Sequence, residues 1–204
     1  MQNNGGKSHL TRRTFLKLGA AAASSGLLQA PAVATKAAGP KKGGTFTLAY
    51  TVGLLEFNPV NLVTGHYAFQ RALFNTLAHY DAKLDLQPEL AEKWEFAADG
   101  KALTLKLREG VKYHSGREFT SADVKASWEF ASTDEKTTMR SLFRSIKQVE
   151  TPDKYTAVLK FDGINPGVFD ALDTLYIIDR ENIADRAKTG GGTGPFRLDK
   201  YCLL

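Results

Sequence analysis

The spacing of apolar residues changes several times along the chain, and each change marks the edge of a predicted element. In GGTFTLAY, Gly43 to Tyr50, the residues Phe46, Leu48 and Tyr50 alternate with Thr45, Thr47 and Ala49, the period of a strand with one buried face. After Asn58-Pro59, the run HYAFQRALFNTLAHY spaces Phe69, Leu73 and Leu77 four apart, which predicts an amphipathic helix. LQPELAEKWEF and KALTLKLREGV follow, separated by Asp99-Gly100, and predict two strands joined by a turn at that dipeptide. Leu103, Leu105 and Leu107 take one face of the second strand; Thr104, Lys106 and Arg108 take the other.

Gly110 and Gly116 then bracket a predicted turn, and Thr120 followed by Asp123 has the form of a capping box at a helix start. Val124, Trp128 and Ala131 fall on one face of that helix, and Trp94 and Trp128 are expected in the core. IKQVETPDKYTAVLKFD predicts two strands about Pro152-Asp153, with Tyr155, Ala157, Leu159 and Phe161 alternating. NPGVFDALDTL predicts a short helix entered through Pro166, and GTGPFRLDKY the start of a last extended segment. No internal repeat is visible. Strands and helices intermixed in this way predict an α/β protein.

The N-terminus follows another logic. TRRTFLKLGAAAASSGLLQAPAVA has Arg12-Arg13, a short apolar run from Leu18 to Leu28 and a small-residue site, Ala32-Val33-Ala34. This is the order of an export signal, 1–34, and the apolar run is well short of the ~20 residues that span a bilayer. Thr11 to Lys17 resembles the twin-arginine consensus, so export to the periplasm with cleavage after Ala34 is expected. Residues 35–43, rich in Ala, Gly, Pro and Lys, read as a flexible lead-in.

Removing this segment changes the charge. Residues 1–34 hold four of the 27 basic residues and no acid, which leaves 23 against 22 acidic, net +1. The basic character belongs largely to the signal, so no nucleic-acid partner is expected. The one cysteine, Cys202, excludes an internal disulfide, and no cysteine follows the apolar run to carry a lipid anchor.

Candidate chemistry is sparse. Apart from His9, the histidines are His66, His79 and His114, whose separations match no metal-ligand spacing, so no metal is expected. His114 and Asp123 are the candidate acid–base pair of a secreted hydrolase, since a carboxylate can orient an imidazole. Against this, Asp123 has a capping task and a turn histidine can satisfy backbone groups. KTGGGTGPF, Lys188 to Phe196, lacks the Lys-Ser or Lys-Thr of a phosphate loop, and Pro195 has no amide hydrogen to offer. There is no G-x-S-x-G. No catalytic residue and no cofactor is expected.

One long ordered match adds what periodicity cannot. From Leu90 to Phe130 the chain resembles the signature region of the family 5 extracellular solute-binding proteins of ABC transporters, the dipeptide and oligopeptide receptors. The resemblance rests on Leu90-Ala91, Trp94, Asp99-Gly100, Thr104, Leu107-Arg108, Gly110-Val111, Tyr113-His114, Gly116, Phe119-Thr120, Ala122-Asp123-Val124, Ser127 and Trp128, with GGTFTLAY, Asn58-Pro59 and GTGPF in order around it. It implies a partial periplasmic-binding-protein type II-like fold: 44–57 opening lobe one, 58–161 an inserted extra domain, and 163–204 returning to lobe one. It also implies a monomeric, non-enzymatic receptor that binds a small solute, by default a peptide, for permease subunits in the inner membrane. His114 then belongs to the extra domain's framework.

Family members are substantially longer, so a truncated, non-functional product is an alternative, and half a cleft is not expected to bind tightly. Within the chain, Thr51, Val52, Gly53, Leu54 and Leu55 are the candidate ligand contacts. They leave a strand's carboxyl end, where open α/β sheets bind ligands, and the plain connecting loop is the competing reading.

Overall fold

In the computed structural model, residues 43–45, 47, 58–61, 67–185 and 191–199 are described. Phe46, Leu48 and Tyr50 of the first expected strand, and the candidate contacts 51–55, lie outside them. The elements fall in one unit, Ala49–Leu204. They are α1 (Tyr67–Leu73), β1 (Ala78–Tyr80), β2 (Leu86–Pro88), β3 (Ala91–Phe96), β4 (Ala102–Leu107), α2 (Ser121–Thr133), α3 (Arg140–Arg144), β5 (Gln148–Asp153), β6 (Thr156–Lys160), α4 (Val168–Thr174) and a 3₁₀ turn (Arg180–Asn182).

The centre is a four-stranded antiparallel sheet in the order β3-β4-β6-β5, with β1 and β2 forming a separate hairpin. Leu103, Leu105 and Leu107 of β4 are buried on one face, joined by Ala157 and Leu159 of β6 and Val149 of β5. Each leucine so buried is worth roughly 1.5–3 kcal/mol over leaving it in water. The opposite face carries Thr104 and Lys106 and stays partly open, the division usual for an antiparallel sheet covered on one side. The turn at Asp99-Gly100 forms as expected, with Glu95 opposite Thr104 and Phe96 opposite Leu103.

Helix α2 starts at the expected box: the Thr120 N–H donates to Asp123 Oδ2 (2.9 Å). Its buried face holds Val124 and Ala131, but also Ser121, Asp123, Ser127 and Ser132. Two of these serines are tolerated because they are bonded. Ser121 Oγ donates to Asp153 O (2.6 Å), and Ser127 Oγ accepts from the Ile178 N–H (2.9 Å). Trp94 and Trp128 are not fully buried. Both sit half-buried against the core, and the Trp128 indole N–H donates to Phe143 O (2.9 Å), which holds the ring at the boundary.

Two other expectations are corrected. Helix α1 stops at Leu73 and does not reach Leu77. The Glu89 carboxylate accepts from Asn75 Nδ2 (2.6 Å), the Thr76 N–H (2.9 Å) and Thr76 Oγ1 (2.6 Å), which draws the chain out of the helix. Leu77 is fully buried all the same, its N–H donating to Leu172 O (3.2 Å). The β5–β6 turn centres on Lys154-Tyr155, because Asp153 Oδ1 accepts the Tyr155 N–H (2.8 Å); Pro152 lies within edge strand β5, where its missing donor costs nothing. The segment 191–199 forms no strand among the described residues.

One buried cluster runs from Val60 to Ile178 and takes residues from both sides of 161–163.

Candidate functional site

The richest arrangement of polar groups lies where the turn after β4, the start of α2 and the segment after α4 meet. Its centre is Arg117. The guanidinium pairs with Asp123 and with Asp179 (Nη2–Oδ1 2.6 Å, Nε–Oδ1 2.7 Å), and its carbon lies 4.8 Å from the centre of the Tyr113 ring. Both carboxylates are buried, their side chains 0% and 1% exposed. Asp179 also accepts from Ser115 Oγ (2.8 Å), Asn182 Nδ2 (2.9 Å) and the Glu181 N–H (3.1 Å).

The electrostatics follow from this packing. Burial alone would raise the Asp179 carboxyl pKa, but the hydrogen bonds from Arg117, Ser115, Glu181 and Asn182 outweigh it and hold the group below its ordinary range. Burial alone would lower the pKa of Arg117, and the two carboxylates raise it instead. Burial pushes the Tyr113 phenol well up; it stays a neutral donor, bonded to Ile178 O (3.3 Å).

The glycine-rich string packs against this centre. Asp179 N–H donates to Gly191 O (3.2 Å), His114 N–H to Gly192 O (2.9 Å), and His114 Nε2 lies 2.8 Å from Gly194 O. On its other side, Gly194 N–H donates to Leu73 O (2.9 Å) and Phe196 N–H to Ala72 O (3.0 Å), at the end of α1. A Cβ on Gly192 would collide with Leu73 O, and one on Gly194 would lie 2.5 Å from Ala72 O. These glycines are small because two backbones touch there; the string is a packed crossing, not a phosphate cradle.

His114 therefore fastens the crossing, and Asp123 is committed to Arg117 and the helix cap. Sequence reading missed Arg117 and Asp179. Asp179 had one visible signal: it is the charged residue ending the apolar run Leu175 to Ile178, all of it buried. Beside the junction opens a concavity of about 230 Å³, lined by His114, Ser115, Asn182, Gly191, Arg197 and Leu198. Ser115 and Asn182 are already spent on Asp179. Among the described residues no group of His, Cys, Asp and Glu could hold a metal, and no helix is long and apolar enough to cross a membrane.

Residues 85–202 match the family model for bacterial extracellular solute-binding proteins, family 5, over more than half of the chain. The chain belongs to that family. A putative ABC transporter peptide-binding protein of Brucella ovis is 32% identical over 159 residues, covering 72% of this chain and 30% of its own length. The oligopeptide-binding protein AppA of Bacillus subtilis is 27% identical over 195 residues, 88% of this chain and 36% of that one. Among solved structures, NikZ from Campylobacter jejuni in complex with Ni(L-His) superposes with a TM-score of 0.67 at 26% identity, covering 74% of this chain and 32% of that one. AgaA of A. tumefaciens R10, in complex with agropinic acid, gives 0.63 at 30%, covering 72% and 32%. The fold is thus part of the type II periplasmic-binding architecture, and the chain spans about a third of the length of these family 5 relatives.

Proposed function

We propose that the chain acts in the solute-binding component of an ABC importer, taking up peptides or a related small solute outside the cytoplasmic membrane and presenting it to permease subunits. The observation that carries this is the family match over 85–202; the Arg117 junction, its two carboxylates buried and paired, holds elements of this chain together and offers no reaction centre. An acid–base role for His114 and Asp123 has no support, since the Asp123 carboxylate is filled by Arg117 and by the Thr120 N–H and hydroxyl.

In this reading residues 44–57 open lobe one, 58–161 form the inserted domain and 163–204 return to lobe one, with Thr51, Val52, Gly53, Leu54 and Leu55 at the ligand wall. Ligand would act by biasing an open–closed equilibrium between two lobes. Arg12-Arg13 and Ala32-Val33-Ala34 would direct export by the twin-arginine route.

The test is a chimera in which this chain replaces the matching third of the Brucella ovis relative. Calorimetry should show peptide binding, and Val52→Asp should weaken it about tenfold or more by placing an unpaired charge at the wall. A folded chimera whose peptide affinity ignores Val52→Asp would remove the segment from the cleft. A folded chimera that binds no peptide, set beside an unaltered relative that does, would remove the peptide reading.

A further inference from the structure

Among the described residues, four buried side-chain atoms lack a hydrogen-bond partner: Gln70 Oε1, His79 Nδ1, Thr137 Oγ1 and Tyr176 OH. An orphaned buried polar atom costs free energy, so each asks for a reason. Three of the four belong to one neighbourhood. Gln70 lies on α1, and its Nε2 donates to Asn58 O and Asn61 O (3.2 Å each), in the turn that follows residues 51–55. Thr137 precedes Thr138, whose N–H donates to Val60 O (3.3 Å) in that same turn. Tyr176, 1% exposed, packs against Leu73 and Phe74 at the end of α1 (ring centroids 6.3 Å). Burial pushes its phenol up, and Arg71 of α1 stands close enough to counter part of that rise.

Tyr67 and Arg71 are four apart on α1 and so share one face of it. Tyr67 is 41% exposed. The Arg71 guanidinium donates through Nη2 alone, to Asp173 O (3.2 Å) and Asp173 Oδ1 (2.6 Å), and that oxygen also accepts the Tyr80 N–H (3.1 Å). Asp173 thus fixes Arg71 with a carboxylate that β1 itself holds. The Nε and Nη1 of Arg71 have no partner among the described residues, and the side chain stays 35% exposed. Glu89, the other carboxylate acting on Arg71, is spent on Asn75 and Thr76.

We infer that Tyr67 and Arg71 face the solute, Arg71 binding a carboxylate and Tyr67 packing on the apolar or aromatic group beside it. A guanidinium carries five N–H donors, so the pair with Asp173 leaves some for a second carboxylate. Because Asp173 already balances the charge, the site selects by hydrogen bonding more than by charge alone. Asp173 is a positioning residue here. The three orphaned atoms fit a wall whose packing is shaped by what it binds. The inference rests on the solute-binding reading above and narrows it to small solutes with a free carboxylate next to an apolar or aromatic group, a peptide's C-terminal end among them.

NMR on the full, isotope-labelled chain tests it, with N-acetylphenylalanine as probe and its carboxamide as control. The acid should move the Arg71 Nε–H signal and the α1 amides, weakly and in the millimolar range, and the carboxamide should move neither. Arg71→Gln should weaken the acid's effect on the α1 amides tenfold or more, about the worth of a charge-assisted bond, and Tyr67→Ala about fivefold. An equal response to acid and carboxamide, no response to the acid, or an Arg71→Gln variant that binds the acid as before would each overturn the inference. The chimera with the Brucella ovis relative separates it from the receptor reading. A chimera whose peptide affinity ignores Arg71→Gln would sink the anchor and spare the receptor. An Arg71 signal that answers to the acid, in a chain whose chimera binds no peptide, would keep the anchor and sink the peptide reading.

Discussion

Arg117 stands between two carboxylates that are both out of water, so its charge has no substitute. Breaking a buried pair by removing one partner leaves an uncompensated charge, at about 3–5 kcal/mol. Arg117→Met should therefore lower the urea midpoint by a shift of that size, and adding Asp179→Asn should recover part of the loss by discharging one stranded carboxylate. The same geometry sets an acid limit. The Asp179 pKa is depressed in the folded protein, so its contribution is complete above the unfolded value of about 4 and fades as pH falls through the folded one. Asp179→Asn should make stability less steeply dependent on pH below about 4, measured by urea unfolding at successive pH values. An unchanged slope would mean that Asp179 is not the residue linking acid to unfolding. Of this junction the sequence showed only the capping task of Asp123 and the place of Asp179 at the end of a buried apolar run; the pairing through Arg117 was not legible. A charge looks like a surface residue until its partners, 62 positions apart between Arg117 and Asp179, are brought together.

At the scale of elements, local signals were read well and boundaries less well. The Asp99-Gly100 hairpin and the Thr120–Asp123 cap were visible because their chemistry lies within a few residues. The end of α1 was not, because it is dictated by Glu89, which is distant in sequence from Asn75 and Thr76. Leu77 kept the helical spacing only because the core, not the helix, buries it. Thr120→Ala should cost about 1 kcal/mol through loss of the cap, seen as a lower thermal midpoint. Trp128→Phe should cost about 1 kcal/mol as well, since the ring's packing is largely kept and only the bond to Phe143 O is lost. A loss several times larger would place the indole in the core after all.

For the whole molecule, the family was legible in 90–130, while the candidate ligand segment 51–55 lies outside the described residues. Framework residues betray themselves through turn and cap chemistry; ligand walls are chosen by whatever they bind. Export is the prediction at this scale. Replacing Arg12 and Arg13 together by lysine should keep the chain out of the periplasmic fraction, because the twin-arginine pair is the feature that route reads. Periplasmic accumulation at the unaltered level would show that the general secretory route suffices.

The glycine crossing has a consequence for anyone scanning the protein by saturation mutagenesis. Gly192 and Gly194 press against the backbone of Ala72 and Leu73, so every side chain there, alanine included, must push α1 from the His114 turn. If the proposed uptake of a solute alone were scored, these two positions would be as intolerant as contacts to that solute, and they flank a concavity that invites that interpretation. A readout of folded protein alongside uptake would separate the two: at the crossing, abundance and transport should fall together, whereas at a true ligand contact transport should fall with abundance intact.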